Sequence, residues 1–226
     1  MGRSTVQKMT QLSFPTISQI VSSLIEEGMV RELDRGSSTG GRRPTLLGIS
    51  ADFGHVVGVK LVPGQIDAVV TDFQGRVLAS YTSDLDTRDP DQTVSHLLRI
   101  IQDLMERSEG KGRLRGVGVG LPGVIDRQMG TVRESPLGWR DYELRAMAQD
   151  LWRVPVVIDN NVNILAQGHH YLGLAQGRKH VVVVTMGRGM GVGIIINGQV
   201  YRGLRGGGGR NWAHSRRRFW VSLLEL

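Results

Sequence analysis

Val157-Ile158-Asp159-Asn160-Asn161-Val162-Asn163 is the stretch on which the fold turns. The apolar run Val154–Ile158 predicts a short buried strand, and Val162–Leu174 predicts a helix that begins almost where the strand stops. A strand feeding into a helix is the repeating unit of α/β architecture. Asp159 or Asn160 can cap the helix, because a short polar side chain accepts from the free N–H groups of a first turn. A carboxylate and several carboxamides at a strand's carboxyl end can also bind a polyhydroxylated ligand, whose every hydroxyl needs a donor and an acceptor.

Upstream of this junction, His55–Val62, Gln65–Asp72 and Arg76–Thr82 are β-rich runs separated by the turn signals Pro63-Gly64 and Gln74-Gly75. Asp91–Arg107 carries Val94, Leu97, Leu98, Ile101, Leu104 and Met105 at helical spacing. Leu114–Leu121 predicts a glycine-spaced buried strand ended by Pro122-Gly123, and Tyr142–Leu151 predicts a helix. Downstream, His180–Thr185 and Val192–Asn197 read as strands, with Asn197-Gly198 turning into Gln199–Tyr201. The order βββαβα followed by new strands predicts an α/β domain with a mixed sheet and the beginning of another. The run Thr185-Met186-Gly187-Arg188-Gly189-Met190-Gly191-Val192-Gly193 has two readings. Alternating glycines bring backbone N–H groups close to a phosphate, or they form a glycine-rich hairpin in a crowded sheet.

Residues 1–50 have a different texture. Ser4–Leu12 predicts a short helix with Ser4 as N-cap and Val6, Met9 and Leu12 facing inward. Ser13 caps a second helix, with Pro15 in its first turn, where a missing N–H costs nothing. Ile17, Ile20, Val21, Leu24 and Ile25 form one apolar stripe, and Gly28 stops the helix. Met29–Leu33 and Thr45–Ile49 predict two strands joined by a basic connection. Helix, tight turn, helix and hairpin in this order predict a winged helix-turn-helix. Ser13, Thr16, Ser18 and Gln19 crowd the front of the second helix, where recognition helices meet base edges. Gln suits adenine, and Ser or Thr suits phosphate or either base. Arg35, Arg42 and Arg43 would lie along phosphates or enter a minor groove. The plainer alternative is a small helical cap with a solvated polar face.

The 226 residues include 28 Lys+Arg, 21 Asp+Glu, 31 Gly and no Cys. That length allows one large domain or two small ones with a proper core. Without Cys, a disulfide scaffold, a thiolate zinc site and thiol chemistry are excluded in these residues. No apolar run of about 18 residues is present to span a membrane. The start Met1-Gly2-Arg3-Ser4-Thr5 has no apolar signal region, so a cytoplasmic protein is expected. The net charge of +7 comes from 24 Arg and only 4 Lys, an excess that GC-rich coding explains as readily as function. The four Arg and one Glu of residues 210–226 supply three of those charges. DNA binding therefore rests on the placement of residues in 1–50 and not on net charge.

Gly118-Val119-Gly120-Leu121-Pro122-Gly123-Val124-Ile125-Asp126, Gly138-Trp139, Val156–Asn163, the 185–193 glycine run and Asn197-Gly198-Gln199-Val200-Tyr201-Arg202-Gly203 occur in the order that resembles the ROK family of repressors, unassigned reading frames and sugar kinases. The resemblance covers nearly all of Gly41 to Gly209. It implies an actin- and hexokinase-like ATPase fold of two lobes with a sugar between them. Repressor members, such as xylose and N-acetylglucosamine repressors, add an N-terminal winged helix. The implied division is a partial winged helix-turn-helix in 1–50, the N-terminal lobe in 51–176, the start of a second lobe in 177–209 and a tail in 210–226. Asn160 and Asn161 become the implied sugar contacts, with Gly123 permitting close approach beneath the sugar. An intact repressor of this kind is expected to be a dimer or higher, binding operator DNA and releasing it on sugar binding.

The resemblance also implies where chemistry is lost. Family kinases place an Asp after the Glu-Asn or Asp-Asn pair, as the base that takes the sugar hydroxyl's proton; Asn161 stands here and cannot accept one. Those kinases carry Asp-Gly-Gly-Thr in the first phosphate loop, whereas this chain has Lys60-Leu61-Val62-Pro63-Gly64-Gln65, with Lys60 a possible phosphate contact. A sugar pocket survives both losses, so a sugar-sensing repressor is expected and a kinase is the alternative. Past Gly209 the family continues Gly-Glu-Ile-Gly-His and a Cys-rich zinc loop; zinc is expected in an intact member and not in this chain. Residues 210–217, read one base out of register, can encode Glu-Ile-Gly-His-Thr-Val-Val, so a frameshift near Gly209 is expected. At the front, only three residues precede Ser4, and the stripe Ile17, Ile20, Val21 and Leu24 is expected to lack part of its cover. A third reading is an inactive pseudogene fragment.

Overall fold

The computed structural model describes residues 1–35, 45–108, 112–186, 189–203 and 222–224, with Asp34, Arg35 and 222–224 described by backbone alone. Helices α1 (Arg3–Thr10) and α2 (Phe14–Glu26) precede a hairpin of β1 (Val30–Arg35) and β2 (Thr45–Ile49). Ser13 caps α2 as expected, its side chain accepting from the Thr16 N–H at 3.3 Å, with Pro15 in the first turn. The first helix starts one residue earlier than expected, capped at Gly2, and ends at Thr10 where Gln11 turns left-handed (φ 59°). That turn leaves Leu12 43% exposed, and Met9 is 70% exposed, so neither faces inward as expected. Val6 does pack inward, against Ile17, Val21 and Leu47. The α2 stripe is split: Ile17 and Val21 are buried, while Ile20 is 43% exposed.

A short linker joins this unit to the sheet. Gln74 Nε2 donates to the Ile49 carbonyl at 2.9 Å, and Phe53 meets Phe73 edge-on at 5.0 Å. Strands β3 (His55–Val62), β4 (Gln65–Asp72) and β5 (Val77–Asp84) form an antiparallel meander, followed by α3 (Pro90–Arg107) and β6 (Leu114–Leu121). Next come β7 (Val124–Asp126), β8 (Thr131–Glu134) and β9 (Arg140–Tyr142), then α4 (Leu144–Trp152), β10 (Val156–Asn160) and α5 (Asn161–Leu172). The five-stranded sheet has the order β10-β6-β3-β4-β5, with β10, β6 and β3 parallel and the rest antiparallel. This is the mixed α/β sheet expected from the sequence.

Asp89 caps α3 by accepting from Gln92 N–H at 3.0 Å, and Pro90 fits the first turn. Helical spacing then puts Val94, Leu97, Ile100, Ile101 and Leu104 on one face, all buried against the sheet and α4. Val57, Val59 and Leu61 of β3, Ile66 and Val70 of β4, and Val117, Val119 and Leu121 of β6 supply the opposing side.

The small sheet β7-β8-β9 was not foreseen. Its strands are three or four residues long, too short for an alternating pattern to show, and β9 occupies the start of the helix expected at Tyr142. Trp139 anchors it: the ring is buried and Nε1 donates to the Thr87 carbonyl at 2.8 Å. Tyr142 Oη donates to Asp91 Oδ1 at 2.7 Å, tying β9 to the start of α3.

Strands β11 (Val181–Met186), β12 (Met190–Ile196), β13 (Gln199–Val200) and β14 (Ser222–Leu224) form a second sheet in the order β13-β12-β11-β14. Asn197 and Gly198 both have positive φ, 52° and 76°, the two-residue hairpin turn that their sequence predicts. Helix α5 lies on this sheet through Ala166, which joins Ala175, Val181, Val183 and Ile195 in a second core. The frameshift expectation concerns residues 210–226, of which only the backbone of 222–224 is described, paired antiparallel with β11.

Candidate functional site

Three elements converge on the carboxyl end of β10. Asn160 takes the capping role: its Oδ1 accepts from Val162 N–H at 2.9 Å. Its Nδ2 donates to the Gly123 carbonyl at 2.9 Å, so one carboxamide fixes both the helix start and the turn that leaves β6. Gly123, Asn160 and Asn161 are thereby brought together at this junction. The reason for Gly123 is different. Its φ is 125°, and a Cβ there would lie 2.1 Å from the Glu134 carbonyl. The space beside Gly123 is filled by the backbone of β8, so its glycine is required by the protein's own packing before any ligand arrives. Asn161, the first residue of α5, is half-buried, and its side chain makes no hydrogen bond with a described residue.

Sequence reasoning missed the strongest electrostatic feature of the site. Asp159 is 3% exposed, and its Oδ2 accepts from Arg202 Nε at 3.0 Å and Nη2 at 2.7 Å. Its Oδ1 accepts from Asn160 N–H at 2.8 Å and from Asn163 Nδ2 at 3.0 Å. Four donors saturate the carboxylate and lock the β10–α5 junction to the second sheet. Asp159 and Arg202 are 43 positions apart. No local pattern links them, and only the placement of Arg202 just past the Asn197-Gly198 turn could have drawn attention to it.

The glycine run behaves as the hairpin of the two readings. Met186 pairs with Met190 across the turn, and residues 187 and 188 lie outside the described residues. A Cβ on Gly191 would fall 2.5 Å from Val162 Cγ2, and one on Gly193 2.6 Å from the Val162 carbonyl. These two glycines therefore let α5 lie close on β12.

Lys60, named above as a possible phosphate contact, is engaged within the sheet. Its Nζ donates to Asp67 Oδ2 at 3.2 Å on the neighbouring strand. Burial raises the Asp67 carboxyl, but hydrogen bonds from Gln65, Lys60 and Thr82 outweigh it and hold the group below the usual carboxylate range. Among the described residues no three His, Asp or Glu side chains gather to hold a metal.

On the N-terminal unit, Ser13, Thr16 and Gln19 are exposed and Ser18 is half-buried along the front of α2. The Ser13 and Thr16 hydroxyls bond each other at 2.7 Å, so both are already engaged in the helix cap. Ser18 and Gln19 make no side-chain hydrogen bond with a described residue. The Arg35 side chain, Arg42 and Arg43 lie outside the described residues. Arg3 braces α1 to β1 through Glu32 at 2.9 Å. Among the described residues no helix is long and apolar enough to cross a membrane.

Comparison with known proteins follows the same lines. The chain is 32% identical over 206 residues to the xylose repressor of Bacillus subtilis (strain 168), covering 91% of this chain and 54% of that protein. It thus spans about half the length of the curated relatives it matches. The crystal structure of a ROK family transcriptional regulator, a homologue of the E. coli MLC protein, superimposes with a TM-score of 0.79 at 21% identity over 92% of this chain and 54% of that one. A ROK family glucokinase from Streptomyces griseus, solved with glucose and AMPPNP, gives a TM-score of 0.58 at 29% identity over 69% of this chain and 49% of that one. The model of the ROK family matches residues 56–216. With that match spanning most of the sequence, the chain belongs to the ROK family.

Proposed function

We propose that this chain is the DNA-binding and sugar-sensing part of a transcriptional repressor, and not a sugar kinase. The observation that carries the reading is the state of the carboxyl groups at the end of β10. Asp159 is buried and saturated by Arg202, Asn163 and the backbone, and the next two positions are the carboxamides of Asn160 and Asn161. No described carboxylate of this junction is free to take a proton from a sugar hydroxyl, and losing a positioned base costs about 10²–10⁴-fold in rate. Binding survives, because hydrogen bonding to a hydroxyl needs no proton transfer.

In this reading Asn161, with its free carboxamide, is the direct sugar contact, and Asn160 positions it while holding Gly123. Residues 1–50 form a partial winged helix-turn-helix. Ser18 and Gln19 read bases, Ser13 and Thr16 shape the helix front, and Arg35, Arg42 and Arg43 contact phosphates. Residues 51–176 form the first ROK lobe and 177–209 the start of the second. The intact protein is a cytoplasmic dimer or higher, acting on carbohydrate uptake or catabolism genes; the name of the Bacillus relative makes a pentose the first effector to try.

The test is calorimetric titration of the chain with D-xylose, D-glucose and N-acetylglucosamine, beside an assay for ADP release with ATP and each sugar. Saturable binding that Asn161→Ala weakens at least tenfold, without ADP release, is the expected result. Sugar-dependent ATP turnover above background overturns the repressor reading in favour of the kinase, which the Streptomyces glucokinase likeness keeps in view. For DNA, selection of bound duplexes from a randomised pool should yield a motif that Gln19→Ala relaxes; no enrichment overturns the DNA-binding assignment.

A further inference from the structure

A pocket lined by residues other than Asn160 and Asn161 lies between the later turns of α5, the β12–β13 hairpin and the turn that joins β7 to β8. Its volume is about 350 Å³, at the lower end of small-molecule sites. The polar side chains lining it are Arg127, Gln167, His170, Tyr171, Gln199 and Arg202, and no carboxylate is among them.

Each wall presents a donor for a structural reason. The β7–β8 turn is pinned by Arg145, whose Nη1 and Nη2 donate to the carbonyls of Arg127 at 3.1 Å and Gln128 at 2.7 Å. The Arg127 guanidinium is left exposed with no acidic partner among the described residues. On α5, Gln167, His170 and Tyr171 stand three and four residues apart and so share one face. The Nδ1 of His170 is buried without a hydrogen-bond partner, which a native interior rarely tolerates. Its Nε2 lies 3.8 Å from where a Cβ on Gly198 would stand, which sets the ring against the hairpin turn. From the hairpin, Arg202 spends Nε and Nη2 on Asp159 and Nη1 on the Val200 carbonyl at 3.3 Å. A guanidinium has five N–H donors, so two remain.

We propose that this pocket binds a small phosphate-bearing ligand between Arg127 and Arg202. Guanidinium groups match oxyanions with paired, charge-assisted hydrogen bonds. Donors arriving from three separate elements suit a tetrahedral anion better than a planar carboxylate. Arg127 belongs to the first lobe's small sheet and Arg202 to the second sheet, so the bound anion ties the two together. Arg202 also holds Asp159, which places occupancy of this pocket one ion pair away from Asn160 and Asn161. The proposal does not depend on the repressor reading, because its test needs neither DNA nor sugar.

The experiment is calorimetry and thermal melting of the whole chain with inorganic phosphate and with glycerol 3-phosphate, against sodium chloride at equal ionic strength. Saturable binding and a raised Tm are expected, both weakened at least tenfold in affinity by Arg127→Gln and unchanged by Arg99→Gln, an exposed arginine on α3 that serves as the charge control. The His170 ring resonances should shift on titration. Binding of the ester alone supports the proposal with an organic phosphate as ligand, and binding of both supports it with the phosphate group sufficient. Binding that is no better than chloride, that Arg127→Gln leaves intact, or that Arg99→Gln weakens equally overturns it.

Discussion

The central sheet and the N-terminal unit use the same devices at very different depth. Both begin their main helix with a capped proline turn, Asp89-Pro90 for α3 and Ser13-Phe14-Pro15 for α2. Helix α3 then buries an unbroken face, from Val94 to Leu104, between a sheet and a second helix. Helix α2 has only α1 and a two-stranded hairpin beside it, and it buries Ile17 and Val21 with Leu47 while Phe14 and Ile20 stay 50% and 43% exposed. The lesson is that an apolar stripe states what a helix can bury, while the number of layers around it sets how much it does bury.

That contrast can be broken at its strongest point first. Leu104→Ala, at a fully buried position, should cost about 2–5 kcal/mol and lower the urea midpoint of the whole sheet domain. Ile17→Ala removes a comparable side chain from a shallower core, so a smaller loss of about 2 kcal/mol is expected. It should appear as faster amide exchange confined to α1 and α2, with the sheet's protection intact. Loss of protection across β3–β6 in that variant would show that the two units melt as one.

The caps offer a finer comparison. Ser13→Ala and Asp89→Ala should each cost about 1 kcal/mol. The Asp89 bond, at 3.0 Å against 3.3 Å, marks the larger of the two, to be read from thermal melts. The smallest effect is electrostatic. Asp67 is held below its ordinary value in the folded chain, so its contribution to stability is present above the unfolded pKa of about 3.9 and is lost as pH falls through the folded value. Acid melts should therefore be less steep for Asp67→Asn below pH 4, with the N-terminal helices unaffected. Exposed Asp86 should titrate near pH 2 by NMR and return toward the ordinary range in Arg88→Gln, since hydrogen bonds from that arginine are the main cause.

Much of the fold was legible because it is local. The period of α3, the β-rich runs of β3 and β4, the Pro63-Gly64 and Asn197-Gly198 turns and the Ser13 cap are short-range physics, and each stands where the sequence puts it. The β7-β8-β9 sheet was illegible because strands of three or four residues carry no period and are held by Trp139, which reaches back 52 positions to Thr87. In the site, Gly123, Asn160 and Asn161 could be picked out as motif residues, but their division of labour could not. Asn160 spends its carboxamide on Val162 and Gly123, and only Asn161 keeps one free.

By itself, the sequence determined the order of the main strands and helices, several of their turns, and that the position after Asn160 carries an amide and no acid. Tertiary structure decided which polar groups remain available. Folding brought Arg202 across 43 residues onto Asp159, buried that carboxylate, and filled its acceptor positions with donors from the protein itself. The physical reason is that a buried charge must find its partner wherever the fold supplies one, and chain distance places no limit on that search.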